Sequence, residues 1–396
     1  MRKVLVIGGG KWQVPLIKKI KEMGCFVVNT NLYENSPGFR YSDIGIVADI
    51  LDKEKNLEIA KKYNVDAVIS DQTDIAVNTV AYIAEKLNLM GIGTDIAKLF
   101  TNKYLMRRNI KINELYHPKY KICNSIKEIK DFFLELNRYI IIKPLNSQSS
   151  RGISIIDEMS SIESAYIKAL EFSSDDRVLV EEYIDGIELT VEGFKKYKGD
   201  HITLAISKKQ HYNNKPFIAK ELIYSNEVLD FDIQKLVKIN NEIFKNVPFG
   251  ITHVEYKYKD GNFYLIEAAI RGGGTKISSH IVPLLTGIDI YKILIETVLF
   301  SKTEDFNFDI KNINKAAMLG FFDFPSGRVK RINGIDFLKN NKNILDFEIE
   351  LSKGDIIKTP EDDRSRVGYF IVYEENLNKL KKMVTQIRNK VNVEYI

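Results

Sequence analysis

The sequence predicts a chain of several α/β and α+β units, with a parallel sheet first and a mixed, ligand-handling region after it. Three observations carry this expectation. Short apolar runs alternate with helical patterns at the start, the chain is 396 residues long, and two carboxylates on a late hairpin run into three glycines. A chain of this length exceeds a single core and implies roughly two to four domains.

Residues 4–7 form a continuous apolar run that ends in Gly8, Gly9 and Gly10 and leads into a helical pattern over about 14–23. A second strand at 26–28 and a third at 67–69, followed by a helix over about 75–87, repeat the alternation. Such alternation indicates a parallel sheet with helices on both faces. The glycine turn invites a dinucleotide reading. However, the third glycine is replaced by Gln13, and the acidic end of the second strand by Asn29-Thr30-Asn31. The expectation is instead a small anionic substrate at Gly9 and Gly10, by the carboxyl ends of the strands. Asp71 and Asp74 lie at the same edge, where they either meet an amine or serve as N-cap and first-turn acid. Asp74 reads as the first-turn acid.

Near Thr94 the alternation stops, and Thr101-Asn102-Lys103 reads as the capped start of a helix that opens a new domain. An apolar strand at 139–142 ends in Lys143-Pro144 and enters a polar loop over 145–153. That loop is either an ordinary hairpin loop or a flap over polyphosphate, with backbone N–H groups and hydroxyls donating and lysine as a point charge. The strand at 178–180 runs into Glu181, Glu182, Tyr183, Ile184, Asp185, Gly186, Ile187 and Glu188. This is either a strand with a charged turn or a place where an adenine edge meets backbone and Glu188 meets ribose.

From His253 to Lys259 the residues alternate, with His253, Glu255 and Lys257 on one face. A turn at 259–262 and a return strand at 263–268 complete a hairpin. Strand side chains have period two, so a two-residue Asp-Gly loop would put Glu255 and Glu267 on opposite faces. A three-residue loop with Gly261 in the left-handed position brings their Cβ atoms within roughly 4.5 to 8 Å, and that loop is the expectation. Two carboxylates that close need a cation between them, and a hard, oxygen-seeking Mg²⁺ shared with phosphates suits them. The alternative is a solvated hairpin with Arg271 in a surface ion pair. The glycines at 272–274 favour the anion site, because they let backbone N–H groups approach closely.

A net charge of +5, spread along the chain, gives no concentrated basic stretch interleaved with aromatics, which argues against nucleic acid. Cys25 and Cys123 have neither metal-ligand spacing nor a disulfide framework, consistent with a reducing, cytoplasmic setting. No apolar run predicts a signal peptide or a membrane span.

Taken in order, these pieces resemble the ATP-grasp superfamily, and in particular its carboxylate–amine (L-amino acid) ligases. The resemblance implies a Rossmann-like pre-ATP-grasp, substrate-binding domain over 1–100 and a two-lobed ATP-grasp domain over 101–300. The second of these divides into a lid-bearing lobe at 101–180 and a catalytic lobe at 181–300. A small α+β carboxy-terminal domain over 301–396 has a turn at Pro325-Ser326-Gly327, strands at 347–351 and 365–372, and a closing amphipathic helix. It implies that Lys103 and Lys143 contact ATP phosphates, with the loop at Ser149 and Gly152 folding over them. Glu181, Tyr183 and Ile184 would hold adenine and Glu188 the ribose, while Glu255 and Glu267 would bind Mg²⁺ or Mn²⁺. Arg271, with Gly273, would face the acyl phosphate, and Lys208, Lys209 and His211 stay open as further contacts. Ala269 departs from the pattern, because many members carry Asn there.

The activity implied is ADP-forming ligation of a small-molecule carboxylate to an amine, by a protein that in this family often dimerises through its first domain. Two rivals remain: a purine-pathway or carboxylase-like enzyme, which would prefer a phosphoribosyl compound or bicarbonate, and a non-catalytic nucleotide-binding regulator, suggested by Ala269.

Overall fold

The computed structural model describes residues 1–145, 151–173, 176–212, 215–303, 305–360 and 362–396. The expected Ser149 contact lies outside them. The first sheet is parallel, in the order Ile44–Val47, Phe26–Asn31, Lys3–Ile7, Ala67–Ile69. Val4, Leu5, Val6 and Ile7 are fully buried, which is why that strand reads as a continuous apolar run. Helices Val14–Glu22, Lys53–Tyr63 and Asp74–Lys86 accompany it.

Lys103–Asn109 is a short helix whose N-cap, Asn102, accepts the Leu105 N–H at 3.0 Å. An antiparallel sheet follows, ordered Tyr120–Cys123, Val178–Glu182, Ile140–Pro144, Ser154–Ile156. It carries Lys143 and Glu181 on adjacent strands.

Among the described residues the largest sheet has nine strands and does not stop at residue 300. Lys215–Tyr224 pairs with Ala316–Phe321, which pairs with Gly368–Glu374, and Ile344–Ile349 closes that edge. The carboxy-terminal strands therefore extend the sheet that carries the glutamate hairpin. Leu115–Tyr116 forms its other edge, beside Asn262–Ala269. The amphipathic helix Leu377–Lys390 is present but does not close the chain, since strand Asn392–Tyr395 follows and pairs with Gly327–Asn333.

Strands Gly250–Lys259 and Asn262–Ala269 pair antiparallel, and Lys259 faces Asn262. The loop is thus the two residues Asp260 and Gly261, both at positive φ (49° and 79°), and not the expected three. Glu255 nevertheless pairs directly with Glu267, because Tyr256 pairs with Leu265 and Ile266 is an extra residue in the return strand. A β-bulge, not the loop, turns both glutamates to one face.

Candidate active site

Glu255 and Glu267 line a cavity of about 280 Å³ together with Lys103, Lys209, His253, Arg271 and, from the other end of the chain, Arg366. The cations are already distributed among the carboxylates. Lys103 Nζ lies 2.9 Å from Glu267 Oε1, and Lys209 Nζ lies 3.0 Å from Glu255 Oε1 and 2.6 Å from Glu188 Oε1. Burial pushes the Glu255 carboxyl up, but Lys209 and His253 outweigh it and hold it well below the usual range.

His253 shares the face of Glu255, as its alternation predicts. Its Nδ1 lies 2.9 Å from Glu192 Oε1 and its Nε2 3.7 Å from Glu255 Oε1. Burial favours the neutral ring, yet Glu192 and Glu255 raise it to about 9 and so keep it an imidazolium. In the strand pairing it stands opposite Ala269.

Arg271 donates through Nε and Nη2 to the two carboxylate oxygens of Asp74, both at 2.8 Å. Asp74 is the first residue of its helix, as expected, but it also anchors a guanidinium that lies far along the chain. Asp71 accepts from the Gly272 N–H at 2.6 Å and the Tyr291 hydroxyl at 2.7 Å, so one oxygen ties the end of the first sheet to the glycine run and the other ties it to the helix Ile290–Phe300. Burial raises its carboxyl.

The glycines divide their roles. A Cβ on Gly273 would approach Ile277, His253 and Glu192 at 2.9 to 3.1 Å, so Gly273 is needed for packing over the imidazole. Gly274 and Thr275 are the residues that line the cavity. Gly9 packs against Asn29 and accepts from the Gly38 N–H at 2.7 Å. Neither Gly9 nor Gly10 lines the cavity, and that loop contributes Trp12 instead. Gly152 has φ +70° and packs on Phe172 and Pro144, and the next residue, Ile153, reaches the cavity.

Behind the cavity, Glu181 joins two cations, accepting from Arg107 Nε at 2.7 Å and pairing with Lys143. Burial opposes ionisation, but both partners hold Glu181 down to about 2. Each of its carboxylate oxygens thus has a cationic partner. The Tyr183 N–H donates to Tyr139 O at 2.9 Å, while Ile184 is buried beside it. Glu188 gathers Lys209, Lys257 (3.1 Å) and His211 (3.4 Å). Of Lys208, Lys209 and His211, the cavity takes Lys209.

Sequence reasoning missed Arg107, Glu192 and the pair Asp363 and Arg366, and it placed His253 and Lys257 on the Glu255 face without a role. Arg107 lies four residues after Lys103, one helical turn along the same face, so its spacing was a usable signal. Its Nη2 donates to the carbonyl of the bulged Ile266 at 2.7 Å, which braces the residue that sets the register of Glu267. Arg366 had no local signal. Its guanidinium lies 3.6 Å over the Phe321 ring, with Nη1 held by Asp363 at 2.9 Å.

Among the described residues no group of three or more His, Cys, Asp or Glu side chains is arranged around one metal position. Two paired carboxylates, each balanced by an ammonium, nonetheless suit a hard cation that takes its other ligands from phosphate and water.

In fold the chain resembles ATP-grasp proteins. Residues 136–279 match the ATP-grasp domain family, and residues 320–395 match L-amino acid ligase C-terminal domain 2. A formate-dependent phosphoribosylglycinamide formyltransferase of Prochlorococcus marinus is 26% identical over 200 residues, 49% of this chain and 51% of that one. The chain thus spans about half the length of the curated relatives it matches. Among solved structures, an L-amino acid ligase from Bacillus licheniformis superposes with a TM-score of 0.84 at 19% identity, over 100% of this chain and 99% of that one. The biotin carboxylase domain of a Hydrogenobacter thermophilus 2-oxoglutarate carboxylase, solved with MgADP and bicarbonate, gives 0.79 at 18% identity, over 99% and 90%. No helix among the described residues is long and apolar enough to cross a membrane.

Proposed function

We propose that the protein is an ADP-forming ligase that joins an amino-acid carboxylate to the amine of a second amino acid. One observation carries the reading: the paired Glu255 and Glu267 share a cavity with Arg271 and with Arg366, and Arg366 belongs to the stretch that matches an L-amino acid ligase domain. Residues 1–100 would serve the substrates, 101–300 the nucleotide, and 301–396 would close the site.

In the reaction, a carboxylate oxygen attacks the γ-phosphorus of ATP and ADP leaves. The amine nitrogen then attacks the acyl carbon, phosphate leaves, and the nitrogen loses a proton. No protein nucleophile is required, so the work is alignment and charge stabilisation. Lys103 and Lys143 would bind phosphate oxygens, with Ser149 and Gly152 in the flap above them. Glu181 would act by holding Lys143, while the backbone at Tyr183 and Ile184 would meet adenine and Glu188 ribose. Glu255 and Glu267 would hold Mg²⁺ or Mn²⁺, which supplies neutralising charge among the phosphates when bound. Arg271, fixed by Asp74, would face the anionic acyl phosphate, with Gly273 keeping the loop close against His253. Gly9, Gly10 and Asp71 would support the substrate side from behind the cavity wall. The buried free cysteines Cys25 and Cys123 suit a cytoplasmic setting.

The test is phosphate release from ATP and Mg²⁺ with amino acids singly and in pairs, beside phosphoribosylamine compounds and bicarbonate. Release that needs two amino acids is expected. Release with a phosphoribosyl compound or bicarbonate alone would establish the purine or carboxylase reading, which the similarity to the formyltransferase favours. ATP binding without release for any substrate would leave a regulator.

A further inference from the structure

Beside the cavity that holds Glu255 and Glu267 lies a second chamber of about 250 Å³. Trp12, Thr275, Asp363 and Arg366 line both, so Arg366 stands where they meet. The walls of the second chamber are aromatic: Trp12 comes from the first sheet's glycine loop, and Phe321 and Tyr369 from the carboxy-terminal strands. Trp12 and Tyr369 meet edge to face with ring centroids 5.4 Å apart.

Arg366 is built into the neck. Its guanidinium carbon lies 3.6 Å from the centre of the Phe321 ring, Nη1 is held by Asp363 and by Ala219 O at 3.3 Å, and Nε and Nη2 enter no hydrogen bond among the described residues. Two adjacent donors on a fixed plane match a carboxylate. The charges around the chamber are otherwise paired. Lys11 bridges to Glu348 at 3.1 Å and to Glu350, and Arg364 bonds Asp362 at 2.6 Å. A charged ligand side chain would have to break one of these pairs, and a very small one would leave the chamber unfilled.

Resting on the ligase reading above, we propose that this chamber holds the side chain of the amine substrate, an α-amino acid with a branched aliphatic or aromatic side chain. Its α-carboxylate lies on Arg366 and its amine points into the first cavity. Trp12 is then a specificity-determining residue supplied by a distant part of the chain.

Trp12 is the only tryptophan, so its emission reports on the chamber in the unmodified protein. The wild-type chain with MgADP is titrated with leucine, methionine, phenylalanine, glycine and aspartate. A saturable change is expected with the first three, at concentrations roughly tenfold or more below any change with glycine or aspartate. In Trp12→Ala the preference for phenylalanine over glycine in kcat/KM should fall by roughly tenfold or more. Identical curves for glycine and phenylalanine, or none while these amino acids support phosphate release, would overturn the assignment. An unchanged preference in Trp12→Ala would do the same. Absence of phosphate release with every pair counts against the ligase reading instead. In that case emission that still sorts side chains by size upholds the chamber, and emission that does not removes it.

Discussion

Asp74 and Arg271 are 197 residues apart in sequence and share two hydrogen bonds of 2.8 Å at the edge of the cavity. A bidentate pair fixes the guanidinium plane as well as its charge. Asp74→Asn keeps the shape but turns an N–H toward Nη2, so the arginine is expected to lose its aim. Turnover should fall by roughly tenfold to a hundredfold while nucleotide affinity holds, which comparison of kcat with ATP binding would check. Glu267→Gln removes one of two paired carboxylates and the negative charge that faces Lys103 at 2.9 Å. Phosphate release should drop by roughly a hundredfold or more, and full activity in this variant would sink the metal assignment. The sequence offered Asp74 as a first-turn acid or a contact to an amine, and not as the partner of Arg271, because that partner is brought to it by the fold.

At the scale of elements, the hairpin Gly250–Lys259 and Asn262–Ala269 shows how register decides chemistry. Its two-residue turn alone would put Glu267 on the face opposite Glu255, and the bulge at Ile266 reverses this. Deleting Ile266 should remove the bulge and leave Glu267 directly opposite Glu255, so phosphate release should be retained, with secondary structure by circular dichroism unchanged; abolished release would show that the bulge itself, and not only the shared face, is required. Arg107 braces this bulge and also holds Glu181, so Arg107→Leu leaves a buried carboxylate with one partner fewer. A loss of about 3 kcal/mol is expected in denaturant unfolding. That the two glutamates share a face was legible from spacing and chemistry. The device that achieves it was not, because Ile266 has no local signature as a bulged residue.

For the whole molecule, buried histidines set the acid limit. His201 donates from Nδ1 to Asn241 at 2.8 Å and accepts from the Thr252 hydroxyl at 2.7 Å, and its burial lowers it to about 4. Because the folded value lies below the ordinary 6.5, its contribution is complete above pH 6.5 and is lost as pH falls through 4. His201 by itself should lower the unfolding free energy by roughly 2 kcal/mol from pH 7 to 5, and a His201→Gln variant should show a slope shallower by that amount. The large sheet carries the carboxy-terminal strands to the cavity, which draws on Trp12, Glu255 and Arg366 at once. By itself the sequence determined what depends on neighbours in the chain: the parallel first sheet from apolar runs, the helix cap at Asn102, and the order of the lysine, glutamate and arginine motifs. Only the tertiary structure decided the bulge register, the pairing of Arg271 with Asp74, and the placing of Trp12 beside Arg366. These are contacts between distant residues, whose energy comes from burial and charge pairing that no local pattern encodes.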